Sequence, residues 1–184
     1  MRLPILIALA CIPVQAFSDL QAGERKAQLC VLCHREAPDK RFVPLLDGQP
    51  ADYLVASMVA FKSGQRKTSE PAMTVNLQNL SQADFRDIAD YFASRPLPTT
   101  IYRLDPADIA AGDRIVAELK CASCHSPAFH GGGVTPRLAG QKPAYLVYQL
   151  EAFRDARRSH SPAMPLLKER SDMEKVAGYL ASLP

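Results

Sequence analysis

Two short clusters of cysteine and histidine are the residues in this chain most suited to chemistry. Both read Cys-x-x-Cys-His: CVLCH at 30–34 and, 91 residues later, CASCH at 121–125. Two thiols separated by two residues lie on one helical turn, where each can add to one vinyl group of a haem, and the next residue directs an imidazole at the iron. This is the attachment signature of c-type haem. The sequence predicts two covalently bound haem c groups, held by Cys30, Cys33, Cys121 and Cys124, with His34 and His125 as iron ligands.

A methionine follows each histidine at the same distance. His34 to Met73 and His125 to Met164 both span 39 positions, and both methionines lie in a Pro-Ala-Met sequence. Ligation by His and Met is typical of cytochromes c, in which the iron transfers electrons at a raised potential. We therefore expect Met73 and Met164 to be the sixth ligands.

Two further histidines have no counterpart in the first half of the chain. His160 lies four residues before Met164, and His130 lies five residues after the second Cys-x-x-Cys-His. We expect His160 to be a solvated surface residue, with ligation of the iron on its distal side as the alternative. The sequence leaves the role of His130 open.

Zinc binding and dithiol chemistry are the competing interpretations of the cysteines. A structural zinc site needs four ligands, whereas the first half offers only Cys30, Cys33 and His34. A thioredoxin-like dithiol is expected beside a βαβ unit, and the chain shows no convincing strand pattern. Both interpretations are disfavoured.

The cysteine motif is part of a repeat that runs through the whole chain. AGER at 22–25 matches AGDR at 111–114, and VPLLDGQPADYL at 43–54 matches TPRLAGQKPAYL at 135–146. Order and spacing are kept, so the sequence predicts two homologous domains at 17–96 and 106–184. The segment 97–105 between them is interpreted as a linker.

The first sixteen residues differ from the rest. Arg2 precedes an apolar run that ends in Val14-Gln15-Ala16, as in a secretory signal. We expect cleavage after Ala16, which removes Cys11, and a periplasmic location. An uncleaved membrane anchor facing the periplasm and a lipid-modified Cys11 are the alternatives.

Apolar spacing predicts three helices in each half and an all-α fold. The predicted helices are 19–33, 50–63 and 82–94, and then 106–124, 143–157 and 172–182. Ser81 with Asp84, and Ser171 with Glu174, are interpreted as capping boxes. Halves of about 80 residues bury little core, so we expect a haem to complete each interior.

The formal net charge of +3 gives no argument for nucleic-acid binding. Basic residues nevertheless cluster after the second predicted helix of each half: Lys62, Arg66 and Lys67, then Arg154, Arg157 and Arg158. They are interpreted as solvated helix ends, with pairing to haem propionates or docking to an acidic partner as the alternative.

These motifs together resemble the dihaem cytochrome c4 family over essentially the whole chain after the signal. The resemblance implies two tandem class I cytochrome c domains whose haems face each other across the interface. It also implies that the carbonyls of Pro44 and Pro136 accept hydrogen bonds from the proximal histidines. Arg35 and Ser126 depart from the family, in which glycine commonly follows the haem histidine.

The expected function is therefore electron transport by a periplasmic dihaem cytochrome that is not an enzyme. Its expected partners are redox proteins, such as a membrane oxidase, a reductase complex or a flavoprotein, with neither nucleic acid nor a small-molecule substrate, and with loose membrane association as an option. The main alternative is the cytochrome subunit of an enzyme such as a flavocytochrome c sulfide dehydrogenase. A dihaem peroxidase is a second alternative, which a methionine at both centres disfavours.

Overall fold

The structure is a computed structural model that describes residues 19–35, 40–68, 70–97, 102–160 and 167–184. Within these ranges the secondary structure is helical, apart from a single bridge between Gly132 and Thr135. The helices of the first half are α1 (Leu20–Lys26), α2 (Gln28–His34), α3 (Ala51–Lys62), α4 (Pro71–Leu77) and α5 (Gln82–Ala93). Those of the second half are α6 (Pro106–Glu118), α7 (Ala122–His125), α8 (Pro143–Arg154) and α9 (Arg170–Ser182).

The predicted helices are present, but the first of each half is interrupted. In the first half it divides at Ala27 into α1 and α2. In the second half α6 ends at Glu118, because Lys120 adopts a positive φ of 55° that no right-handed helix accommodates. The first haem-attachment motif therefore lies on the short helix α2, and the second on the short helix α7 with Cys121 as its N-cap residue, rather than at the end of a long helix.

Two helix starts differ from expectation. Ser81 and Asp84 form the predicted capping box of α5, but the one predicted at Ser171 is wrong, since α9 already begins at Arg170 and makes no side-chain cap. The sequence also missed α4, which begins at Pro71 and carries Met73. Proline is favoured in the first turn of a helix, where its missing N–H has no partner to lose.

Each half contains a buried apolar cluster of its own. The first is built around Phe85, Ile88 and Phe92 of α5, and the second around Met173, Val176 and Leu180 of α9. These are the helix faces that the three- and four-residue spacing predicts. The extents of the two domains and of the linker stay predictions.

The first and last helices of each half cross closely, α1 on α5 and α6 on α9. The repeated glycine of AGER and AGDR lies at each crossing. A Cβ on Gly23 would collide with the carbonyl of Asp87, and a Cβ on Gly112 with that of Lys175. Each half therefore packs its first helix on its last at a glycine, where no side chain fits.

Candidate metal centres

At the first centre, α2 carries both cysteines and the histidine of CVLCH. The Nδ1 of His34 lies 2.9 Å from the carbonyl oxygen of Pro44, to which its N–H donates. Burial, with a smaller contribution from the charges of Lys142 and Arg66, lowers the pKa of His34 to about 4, although the hydrogen bond to Pro44 acts in the opposite direction. The imidazole is therefore neutral at pH 7, with its proton on Nδ1 and the lone pair of Nε2 available to a metal.

The second centre repeats this arrangement on α7. The Nδ1 of His125 lies 3.0 Å from the carbonyl oxygen of Pro136. Burial again lowers the pKa of the imidazole, here with a contribution from His160. Both proline contacts that the resemblance implied are present. A carbonyl of this kind fixes the tautomer and orientation of a ligating histidine and raises its basicity.

The cysteines lie in a setting unlike that of a reactive dithiol. Burial raises the pKa values of the Cys30 and Cys121 thiols, whereas redox-active cysteines have lowered pKa values. No three His, Cys, Asp or Glu side chains cluster as a metal site anywhere in the described part of the chain. The raised thiol pKa values thus disfavour a redox-active dithiol at either motif.

The two halves meet through a reciprocal pair of glutamine side chains. Gln141 accepts from the backbone N–H of Leu45 at 2.8 Å and donates to the carbonyl of Leu45 at 3.0 Å. Gln49 makes the same two bonds to Arg137, at 3.0 and 2.8 Å. Gln49 corresponds to Gln141 in the repeat, and Leu45 corresponds to Arg137. Each half therefore uses the same motif to bind the backbone of the other.

The glycine before each glutamine makes these contacts attainable. Gly48 and Gly140 have positive φ angles of 72° and 66°, a conformation that glycine adopts at little cost. The backbone segments held by the glutamines directly follow Pro44 and Pro136. Each proline carbonyl that orients a histidine is thus one residue from the contact that joins the halves.

A second reciprocal contact between the two halves joins an arginine of each half to a tyrosine of the other. Arg66 donates to the hydroxyl of Tyr145 at 3.0 Å, and Arg158, its counterpart, donates to the hydroxyl of Tyr53 at 3.4 Å. Both guanidinium groups also contact Gln149. Burial alone would raise the pKa of Tyr53, but the two guanidinium charges lower it to about 8. The repeated Gly-Gln-x-x-x-Tyr-Leu sequence therefore encodes an interface, with its leucine in each core.

Comparison with known proteins identifies this pattern. The cytochrome c family model matches residues 109–184. A cytochrome c4 of Pseudomonas aeruginosa is 32% identical over 188 residues, which cover 91% of this chain and 90% of that protein. The chain belongs to the cytochrome c4 family.

A solved structure supports the same assignment for the fold. Reduced recombinant cytochrome c4 from Pseudomonas stutzeri has a TM-score of 0.78 and 28% identity, and the match covers 91% of this chain and all of that one. A thiosulfate dehydrogenase electron acceptor of Thiomonas intermedia is 28% identical over 89% of this chain and 82% of that protein. The predicted all-α fold of class I cytochrome c domains and the predicted haem c cofactors are confirmed.

The arginine pair of this cytochrome c4 fits a haem that carries two propionates. Arg66 and Arg158 are half-buried, and a guanidinium withdrawn from water is usually paired with an anion. Among the described residues, both donate hydrogen bonds only to neutral oxygens, and each also lies over a phenylalanine ring. An anionic group beside them would supply the missing charge. Arg66 and Arg158 are therefore not the solvated helix ends that the sequence suggested.

The other basic residues of the two clusters behave as solvated helix ends. Arg154 and Arg157 pair with the exposed Asp155 at 2.7 and 3.3 Å. Lys62 donates to the carbonyl of Leu80 at 2.6 Å. The sequence could not separate these residues from the interface arginines, because all of them lie at or just after the end of the second predicted helix of their half.

The predicted methionine ligands differ in what the structure describes. Met73 lies on α4, half-buried against the first core cluster. Met164 lies in 161–166, outside the described residues, as do residues 1–18 with the predicted signal. The ligand roles of both methionines, of the two histidines and of the four cysteines stay predictions.

The two departures from the family differ in backbone conformation. Arg35 has an extended conformation, with φ −82° and ψ 178°, that any residue adopts. Ser126 has a positive φ of 69°, where glycine is favoured, and its Oγ accepts a hydrogen bond from the N–H of His130 at 3.2 Å. Only the second departure therefore places a side chain in a strained position.

Proposed function

We propose that this cytochrome c4 carries electrons between redox proteins in the periplasm and is not itself an enzyme. The observation that carries the proposal is the duplicated centre, in which a proline carbonyl holds the Nδ1 proton of His34 and of His125. Such fixed, neutral imidazoles suit a permanent iron ligand rather than a group that accepts and releases protons during catalysis.

The side chains divide the work of holding each cofactor. Cys30 and Cys33 would tether one haem and Cys121 and Cys124 the other, while the methionines would complete the iron coordination. Each haem, when bound, supplies an iron that gains or loses one electron. The protein keeps the histidine tautomer fixed, excludes water with its two cores and places positive charge at Arg66 and Arg158.

The interface supports electron transfer between the two centres. Each histidine is hydrogen-bonded to the carbonyl of a proline, and the residue after that proline is hydrogen-bonded to the other half. These residues are Leu45, which binds Gln141, and Arg137, which binds Gln49. This arrangement fixes the two centres relative to each other. Fixed geometry favours electron transfer, because little reorganisation is then needed at each step.

The location in the periplasm rests on the predicted signal at 1–16 and on the attachment chemistry. Among the described helices, none combines the length and the apolar character that crossing a membrane requires. Redox proteins are the proposed partners, docked by surface charge and exposed apolar residues.

A second candidate function is that of a dedicated acceptor for one enzyme. It is favoured by the likeness to the thiosulfate dehydrogenase electron acceptor. It is also favoured by the likeness to a solved thiosulfate dehydrogenase of Marichromatium purpuratum, which has 27% identity and a TM-score of 0.75. That match covers 90% of this chain and 40% of the other. Such an acceptor would copurify with its dehydrogenase or be reduced by it with thiosulfate present.

The test is to purify the protein from its native periplasm and to measure haem by the pyridine haemochrome assay. Two c-type haems per chain, together with reversible reduction and no turnover of peroxide, are the expected result. A colourless protein, or peroxide turnover, would overturn the proposal. Reduction by thiosulfate dehydrogenase alone among candidate donors would favour the second function.

The arginine pair offers a sharper test of the cofactor's orientation. Arg158→Gln removes a positive charge that would stabilise the reduced, less positive iron, so the reduction potential of the second centre should fall. Arg154→Gln, at the last residue of α8, removes a charge already paired with Asp155 and should change this potential little. Equal shifts in the two variants would contradict propionate pairing by Arg158.

A further inference from the structure

His160 does not lie free in solvent as the sequence suggested. Its ring is half-buried and packs edge-to-face against the ring of Phe153, with the two ring centroids 5.1 Å apart. Its centroid lies 6.1 Å from that of His125, with the two rings inclined at 52°. A second imidazole therefore stands beside the histidine of the second centre.

The separation of these two rings has a chemical meaning. The Nδ1 of His125 is engaged by Pro136, so its metal-binding atom is Nε2, on the opposite edge of the ring. Imidazole nitrogens bind transition metals at about 2.0 Å, so two imidazoles on opposite sides of one ion have ring centres roughly 6 Å apart. The observed spacing of His125 and His160 meets this requirement.

The sequence places no histidine at the corresponding position of the first centre. His160 precedes Met164 by four residues, and the residue four before Met73 is Ser69. Serine offers no nitrogen to iron. The two centres, otherwise duplicated, thus differ in the ligands available on their distal side.

We propose that His160 is an alternative sixth ligand of the iron at the second centre and takes that position whenever Met164 leaves it. The inference rests on the proposed haem sites. Imidazole suits ferric iron, whereas the softer thioether of methionine favours the ferrous state and a higher potential. The exchange is a substitution at iron: the Met164 sulfur–iron bond breaks, the His160 nitrogen–iron bond forms, and no electron is transferred.

The consequence is a difference in accessibility between the two irons. Loss of methionine at the first centre opens a coordination position to water, peroxide or other small ligands. At the second centre His160 closes the same position. The second iron therefore has no open coordination position and remains restricted to electron transfer, even when its methionine is released or oxidised.

The test compares Met164→Leu with its matched control, Met73→Leu, in the full-length haem-loaded protein. Electron paramagnetic resonance of the ferric form should show one high-spin haem in Met73→Leu and none in Met164→Leu. Added cyanide should bind rapidly to the first variant and slowly to the second. The potential of the second centre should fall in Met164→Leu.

The variant Met164→Leu/His160→Ala identifies the group responsible. It should gain the high-spin signal that Met164→Leu lacks, while His160→Ala alone keeps the wild-type spectrum and so reports correct folding. A high-spin second centre in Met164→Leu, or a low-spin one in the double variant, would overturn the inference. The haemochrome assay on the same samples separates this from failure of haem binding, which would overturn the proposed function instead.

Discussion

Replacing Gln141 by alanine tests the contact that joins the two halves. Leu45 and Gln141 are only 1% and 2% exposed, so water does not already reach the two hydrogen bonds between them. The substitution leaves the N–H and the carbonyl of Leu45 without their partner. Each buried polar group left unpaired costs about 1 to 3 kcal/mol, and a water entering the vacated polar space would recover part of this. We expect the free energy of unfolding to fall by about 2 to 4 kcal/mol.

The symmetry of the interface supplies the control. Gln49→Ala breaks the corresponding bonds to Arg137, whose backbone is only half-buried. Water can replace the lost partner there, so the cost should be about 1 to 2 kcal/mol. Gln141→Met keeps the side-chain volume without its hydrogen bonds and should resemble Gln141→Ala if those bonds matter more than packing.

The assay is urea unfolding of the oxidised protein with both haems bound, followed by circular dichroism and by haem absorbance. Disagreement between the two probes in Gln141→Ala would show that the halves unfold separately. A loss below about 0.5 kcal/mol, typical of a neutral surface change, would refute the reasoning. So would a larger loss in Gln49→Ala than in Gln141→Ala.

Four further substitutions test local features of the fold. Gly112→Ala forces α6 away from a backbone carbonyl of α9 and should lower the free energy of unfolding by about 1 to 3 kcal/mol; an unchanged melting temperature would contradict this crossing. Gly64→Ala, at φ 76° in open space, should cost about 1 kcal/mol in urea unfolding, and Ala156→Gly at the matching position with φ 53° should not destabilise. A hydrogen bond from Lys26 lowers the pKa of Asp84 below its ordinary value of 3.8, so Asp84 stabilises the fold fully above that value and progressively less as the pH falls through its folded pKa. The loss of unfolding free energy in Asp84→Asn, measured by urea unfolding, should therefore be largest near neutral pH and shrink in acid. A loss that grows in acid would contradict this reasoning.

Local features were predictable from the sequence wherever neighbouring residues determine them. The capping box at Ser81 and the buried faces of α5 and α9 follow from spacing within one helix. The predicted capping box at Ser171 is wrong because α9 begins at Arg170, two residues before the predicted start at 172. The helix α4 was missed because no helix was predicted between 63 and 82. Propensity alone does not distinguish a proline that starts a helix from one that prevents it.

The sequence by itself determined which residues can hold a haem, because the two thiols and the histidine must lie on a single helical turn and their spacing is therefore local. The repeat likewise determined that there are two such centres. Only the tertiary structure decided that Gln49, Tyr53 and Arg66 contact the other half, and that the ring of His160 lies 6.1 Å from that of His125. The contacts between the halves depend on how the chain folds back over 79 to 105 residues, and the docking of separate segments is not encoded in the spacing of either one.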